Sequence, residues 1–259
     1  MLAKILPDAP TFKDAIIEAE RQMKSGDLGA LVEFPVAHHF SKGLYSRTIL
    51  IKAGECLTGK IHTTEHLCIM YGDLEIASEH GRERLTGYNI LNSKPGVKRI
   101  GYAYTDTLFT TLHVTDELDV DKLESMLGLA TYQDYDNFDY QNFLIETDMD
   151  QNDIDLIVKN ENDICPVPRG FDDFHIKDSP IHGLGVFASD HLLAGCNVGP
   201  ARIGINRTPL GRYTNHSASP NCVMLKADNT TDMFLMTQQS IKMGDELTVD
   251  YRQVMRARQ

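Results

Sequence analysis

The 259-residue sequence predicts a mainly β protein with a minor helical part, folded as two domains separated by an acidic segment. Three observations carry that expectation. Between Val32 and Val114, short runs rich in Ile, Val, Thr and Tyr alternate with turn residues at a spacing of roughly 8–12 residues, the texture of a barrel or sandwich. From Phe171 onward short strands return, with almost no long helical pattern. Between the two, residues 132–170 hold ten of the 37 acidic residues but only two of the 25 basic ones, which marks them as a different kind of segment.

In chain order, Thr11 is placed to cap a helix running to about Lys24, with Gly26 beyond its end. Phe12, Ala15, Ile16, Ala19 and Met23 recur at helical spacing on one face. The strand runs follow as SRTILIKAGE, TGKIH, HLCIMYGDLEIAS, YNILNSKPG, RIGYAY and TLFTTLHV. DELDVDKLESMLGL reads as a helix closing the first domain, 1–131. Residues 132–170 read as a solvated acidic linker with one or two short helices, whose tyrosines and phenylalanines can pack on a neighbouring domain. Within it, DMDQNDIDLIVK has the look of a calcium loop. It lacks the glycine of the sharp turn and the closing bidentate Glu, which excludes that reading. CPVPRG marks the boundary with the second domain, 171–259.

Composition narrows the function classes. At 42% hydrophobic and 24% charged residues the chain is ordinary for a soluble globular protein. No apolar run approaches the roughly 20 residues that span a bilayer, so membrane function is excluded. The net charge is −12, and the basic cluster is confined to Arg252, Arg256 and Arg258, so nucleic acid is excluded as a partner. The N-terminal residues lack the longer apolar stretch of a secretory signal. The five cysteines are scattered and odd in number, which excludes a disulfide scaffold or structural zinc site and fits a reducing, cytoplasmic compartment.

The stretch from Gly54 to His113 resembles a cupin, a small jelly-roll barrel. Gly59, His62, Glu65 and Gly72 match the family's first motif, and Pro95–Gly96 matches the turn of its second. The surrounding HHFSKGLYSR, LTGKIHTTEH and PGVKRIGYAYTDTLFTTLH are similar to a cupin-like group common in tailed-phage genomes. Cupins often hold a metal through histidines and a glutamate, and here the resemblance implies His62, Glu65, His66 and His113 as ligands for a divalent metal such as zinc or iron. The chain departs from the pattern, because Lys98 and Arg99 stand where the second motif has its histidine. On a straight strand His62 and His66 would lie roughly 13 Å apart, so a bend at Thr63–Thr64 is required. Histidines lining a barrel mouth without metal are the first reading of this cluster, and a metal centre the second.

Three ordered blocks in the C-terminal part resemble the SET-domain protein lysine methyltransferases. SPIHGLGVFA carries the family's Gly-x-Gly as Gly183 and Gly185. GRYTNHSASPNC matches at Arg212, Asn215, His216, Ser217, Pro220 and Asn221, with Tyr213 in place of Phe and Ala218 in place of Cys. IKMGDELTVDYR matches a third block ending at Tyr251. The resemblance covers Phe171 to Tyr251 and implies a minimal SET β-fold in which the second and third blocks cross. It implies S-adenosylmethionine as cofactor, with Gly183, Gly185, Arg212, Asn215 and His216 as its contacts and Tyr251 as the catalytic hydroxyl.

Methyl transfer to an amine is an in-line displacement in which positioning dominates, so glycines for close approach and one orienting hydroxyl suit it. Between the first two blocks, Phe187 to Gly211 is all that stands where a full SET domain inserts its substrate-channel region, and only RQVMRARQ follows Tyr251. That leaves a shallow, wet site unless walls come from the barrel, the acidic segment or a second subunit. The expected function is methyl transfer to a lysine side chain of a protein, with homo-oligomers as further partners. The alternatives are a non-catalytic phage structural or binding protein, using the barrel for oligomerisation and a degenerate SET scaffold, and a cupin metalloenzyme.

Overall fold

The computed structural model describes residues 2–9 and 11–258. It divides into two compact units, Met1–Tyr135 and Asp136–Gln259. None of the described helices is long and apolar enough to cross a membrane.

The first unit runs α1 (Leu2–Ile5), α2 (Phe12–Ser25), β1 (Val36–Ser41), β2 (Leu44–Ile51), β3 (Cys56–Thr58), β4 (Ile61–His62), β5 (His66–Ser78), β6 (Gly81–Ser93), β7 (Ile100–Ala103), β8 (Thr107–Val114), α3 (Val120–Leu127) and β9 (Gly128–Leu129). Thr11 caps α2 by accepting the Asp14 N–H at 3.1 Å, and Gly26 ends it in the left-handed region at φ 85°. Seven strands form one antiparallel sheet in the order β1-β2-β8-β5-β7-β3, with β6 also on β5. β5 changes partner part-way. It pairs with β8 from Leu67 to Tyr71 and with β7 from Leu74 to Ala77.

Gly72 sits at that change, at φ 148°, where a Cβ would lie 2.8 Å from Thr107 Cα. Only glycine allows β8 to approach so closely there, and the sheet curls about this point. The result is a curled half-barrel sheet, within the mainly β fold that the sequence predicts, with Ile49, Ile51, Met70, Leu74, Leu85 and Ala103 in its core. β4 and β9 pair beside it, and α3 packs Leu123 and Leu127 against Tyr45.

After α4 (Tyr132–Thr147), whose residues from Asp136 onward belong to the second unit, come α5 (Gln151–Lys159), β10 (Phe174–Asp178), β11 (Leu184–Ala188), β12 (Asn197–Ile203), β13 (Asn206–Arg207), α6 (Pro209–Tyr213), β14 (Asn215–His216), β15 (Cys222–Lys226), β16 (Met233–Thr237), β17 (Glu246–Val249) and α7 (Tyr251–Arg258). Two four-stranded sheets result, β10-β11-β17-β14 and β13-β12-β16-β15. They enclose a core that includes Val186, Ala188, Leu210, Leu235, Leu247 and Val249. All five cysteines are free thiols.

The residues assigned to an acidic linker are largely helical, and their acids have structural work. Asp150 caps α5 by accepting the Asp153 N–H at 3.0 Å, while Asp153 accepts the Asp150 N–H at 2.9 Å. Asp163 accepts from Arg207 Nε at 2.6 Å and lies 3.4 Å from Arg212 Nη1. The Arg207 hydrogen bond, with both guanidinium charges, holds its carboxyl below the usual range. Phe143, Leu144 and Ile154 form a buried cluster that Tyr140 and Tyr251 join.

β14 lies parallel to β17, with Asn215 opposite Thr248 and His216 opposite Val249, so the second and third sequence blocks run side by side. α6 leads into β14 and packs tightly on β12, where a Cβ on Gly211 would overlap the carbonyl oxygen of Ala201. Backbone cannot yield there as a flexible side chain would. Gly211→Ala should therefore destabilise the second unit by about 3 kcal/mol or more, at the upper end of overpacking penalties. A urea midpoint within error of the wild type would show that α6 is free to shift.

Candidate functional site

The second unit holds a cavity of about 510 Å³ lined by Gly183, Arg212, Asn215, His216 and Tyr251. Its walls include Tyr140 from α4 and Gln151, Ile154 and Val158 from α5. The helices of the acidic segment thus supply walls where the Phe187–Gly211 stretch is short. The acidic segment is one of the three sources of walls that the sequence leaves open. Burial pushes the Tyr251 hydroxyl well above its ordinary pKa, with the neighbouring Tyr140 and Glu246 adding to the effect, so it stays neutral at physiological pH.

Tyr251 is held at both ends. Its hydroxyl donates to Thr214 O at 3.3 Å, and its backbone N–H donates to His216 Nδ1 at 3.2 Å. With Nδ1 as acceptor, the neutral His216 ring carries its proton on Nε2, which donates to Asp139 Oδ2 at 3.0 Å. Asp139 also receives Arg252 Nη1 at 2.8 Å, and Arg252 Nε reaches Glu146 at 2.6 Å. Burial pushes the Asp139 carboxyl up, but the bonds from His216 and Arg252 more than reverse this and keep it ionised. The His216 and Tyr251 ring centroids lie 5.2 Å apart, and Phe143 meets Tyr251 edge-on at 5.6 Å.

Asn215 is a hub. Its Nδ2 lies within 3.1 Å of Ser179 Oγ, His182 O, Leu184 O and Glu246 Oε1. Two amide protons are shared among these acceptors, and together they tie the loop carrying Gly183 to β17. Gly183 takes φ 51°, and a Cβ there would meet open space. Gly185 is not among the cavity's lining residues; it lies on β11, where a Cβ would overlap the Glu246 carboxylate. Arg212 is buried, and its Nη2 donates to Asn160 O at 2.6 Å, so its guanidinium anchors the chain after α5. The sequence reading missed Asp139, Tyr140 and Glu246. Glu246 stood within a matched block, and only the contacts of its carboxylate with Asn215 and Ser179 beside Gly185 distinguish it.

The first unit holds a second candidate. His62, His66 and His113 each offer a ring nitrogen within 4.8 Å of the others, a group that can hold a metal. The chain bends at Thr63 and Thr64 between β4 and β5, and this brings the His62 and His66 ring centroids to 4.2 Å. Glu65 does not join them. It is exposed, with Lys94 Nζ and Asn92 Nδ2 each 2.7 Å from its carboxylate. The donor set fits a divalent metal. Burial lowers the pKa of His62 to about 3 and of His113 to about 4, and lowers His66, so all three imidazoles are free bases at neutral pH. Among the described residues His62 Nδ1 and His113 Nδ1 are buried without a hydrogen-bond partner, and His66 uses Nδ1 toward Thr64 O at 3.0 Å, which leaves Nε2.

The chain belongs to the SET domain family, whose sequence model matches residues 50–252. No curated protein matches it. Solved structures similar to part of it include a cupin superfamily protein from Desulfitobacterium hafniense, at 14% identity over 35% of this chain and 87% of that one, with a TM-score of 0.28. Another is an RmlC-like cupin family protein with a double-stranded β-helix fold from Methanocaldococcus jannaschii, at 15% identity over 32% and 80%, TM-score 0.28. A third is a salicylate 1,2-dioxygenase from Pseudoaminobacter salicylatoxidans, at 12% identity over 43% and 34%, TM-score 0.30.

The buried histidines make the barrel's stability depend on pH. Below about pH 6.5 the unfolded chain protonates histidines that the folded barrel keeps neutral down to about pH 4 and about pH 3. Stability is therefore full above 6.5 and declines as pH falls toward those values. Hydrogen exchange in β5 and β8 should show a lower opening free energy at pH 5 than at pH 7.5, and His62→Gln with His113→Gln should flatten the difference. Protection independent of pH across this range would contradict neutral burial.

Proposed function

We propose that the second unit is a protein lysine methyltransferase that uses S-adenosylmethionine. One observation carries the reading: five of the six residues implied by the family resemblance, Gly183, Arg212, Asn215, His216 and Tyr251, line a single cavity. The cavity suits that cofactor, because it is of ligand size at about 510 Å³ and is lined by the tyrosines 140, 213 and 251, whose ring faces favour a cation. Bound there, S-adenosylmethionine supplies a methyl group on a sulfonium for displacement by a neutral amine.

The chain's own residues do the positioning. Asn215 fixes the Gly183 loop, whose open Cα face admits a ligand. The Tyr251 hydroxyl, neutral and bonded to Thr214 O, presents an oxygen that can accept from the incoming amine and hold its lone pair in line. His216 fixes the Tyr251 backbone, and Asp139 fixes His216. α4 and α5 wall the centre, and their acids favour approach of a cationic lysine side chain, which gives up its proton to solvent before the neutral amine attacks.

Tyr251→Phe should leave cofactor affinity within about twofold and lower methyl transfer by roughly one to three orders of magnitude, as for loss of one preorganised polar group. Calorimetry with S-adenosylmethionine and transfer to a lysine-rich protein mixture measure the two. Absence of both cofactor binding and transfer in the wild type would leave a scaffold instead.

A second reading concerns the barrel, where the converged imidazoles and the unpartnered Nδ1 atoms of His62 and His113 favour a metal. We infer that His62, His66 and His113 hold one divalent ion, such as zinc or iron. Elemental analysis of carefully purified protein should find one equivalent, released by chelation and absent from His66→Ala. No stoichiometric metal, with none regained on titration, would make the cluster a packing feature of the barrel mouth.

A further inference from the structure

The barrel cavity carries charge of a sign that the chain as a whole lacks. The protein has a net charge of −12, yet three of the four charged side chains lining this space of about 350 Å³ are cations, Arg47, Lys60 and Arg99. The fourth, Glu124, is already shared. Lys60 Nζ lies 2.8 Å from its carboxylate and Arg47 Nε 3.1 Å. Arg99 has no carboxylate partner among the described residues, and its Nη1 donates to the Ser93 hydroxyl at 2.7 Å. A guanidinium has five N–H donors, so most of its capacity is left over. A cation drawn out of bulk water without a counter-ion is unfavourable, and an anion brought by a ligand would relieve that.

The rest of the wall says what kind of anion. Ile49, Ile51, Leu74, Ile76 and Phe109 line the same space. These five offer a continuous apolar surface that suits a hydrocarbon body rather than the further oxygens of a phosphate, although Tyr45, Thr58 and Thr111 line the space as well. At the roughly 30 Å³ that one water takes in the liquid, the cavity has room for about ten non-hydrogen atoms. Guanidinium and carboxylate match in a two-bond fork, and an apolar wall beyond it matches a hydrocarbon body. We propose that the barrel cavity binds a small organic monocarboxylate, its carboxylate on Arg99 and its hydrocarbon body against Ile49, Ile51, Leu74, Ile76 and Phe109.

This site stands apart from the methyltransferase reading, and its test is independent of activity. Calorimetry on the full chain, as purified and after chelation, would compare hexanoate and benzoate with hexanol, benzyl alcohol, hexylamine and inorganic phosphate. The carboxylates should bind at least tenfold more tightly than the alcohols and amine, and should do so without metal. Arg99→Gln should lose at least tenfold for the carboxylates, and Arg99→Lys less, with hydrogen exchange in β5 and β8 confirming that each variant is folded. The comparison among ligands on the wild type holds even if a variant does not fold. Equal binding of alcohols and carboxylates, phosphate binding as well as hexanoate, or no carboxylate binding in either state would overturn the proposal. So would binding that vanishes on chelation yet survives Arg99→Gln, which would place the anion on a metal.

Discussion

Inside the second unit, Asn215 Nδ2 and Glu246 Oε1 meet at 2.8 Å, and the surrounding backbone can take its course only if that contact is kept. Glu246 also accepts the Ser179 hydroxyl, and the Asn221 amide donates to its carbonyl at 2.7 Å. The segments around Ser179 and Asn215 are thereby fixed to one carboxylate, and Asn221 to the backbone of the same residue. The absence of a side chain at Gly185 is part of the same arrangement, since a Cβ there would occupy the carboxylate's place. Such a network is strong because every buried member is satisfied, and fragile because removing one strands the others. The cavity lies beside it, so its floor is as rigid as the network.

A second chain of contacts starts from the acidic segment. Asp139 on α4 accepts from His216, and His216 accepts from the Tyr251 backbone. A carboxylate buried to this degree needs more than one donor to remain ionised, and Arg252 on α7 supplies it. α7 therefore has a definite role. Arg252 neutralises the acid that orients the histidine, and Gln253 bonds both the N–H and the carbonyl of Met224 on β15. α7 thus ties α4 and β15 to the strand that carries the site.

How much of this was legible in the sequence follows from how local each feature is. The α2 cap at Thr11 and stop at Gly26 depend on a few neighbouring residues, and both are as read. A bend between His62 and His66 was the condition for the two rings to meet at one ion, and it is there. The match at Asn215, His216 and Tyr251 was legible because those residues stand in ordered blocks. α4 was hidden by its own composition. Its acids dominate the segment, and although Tyr140, Phe143 and Leu144 share a face, Tyr135, Phe138 and Ile145 lie on others, so no single apolar stripe stands out in the sequence. Asp139 could not be distinguished from Asp134 or Asp136, because its partners lie 77 and 113 residues away. Glu65 was misleading for the converse reason. It fits a motif by position, but the turn that brings the histidines together leaves its carboxylate outside with Lys94.

Charge in this chain is thus sorted locally rather than spread. In the acidic segment, Asp139, Asp150, Asp153 and Asp163 are engaged by helix ends, a histidine or arginines, so the apparent excess is largely a structural inventory. In the barrel the imbalance runs the other way, with Glu124 divided between Arg47 and Lys60 while Arg99 keeps only a hydroxyl. A fold can leave an arginine so weakly compensated beside an apolar wall only where water or a ligand completes it, because the alternative is a desolvated charge. The neighbouring histidines resolve the same problem differently. Arg99 adds to the burial that already disfavours protonation of His62 and His66, so they stay neutral and their lone pairs stay available. In this cavity burial chiefly, and the nearby cation in addition, keep the imidazoles as free bases beside Arg99.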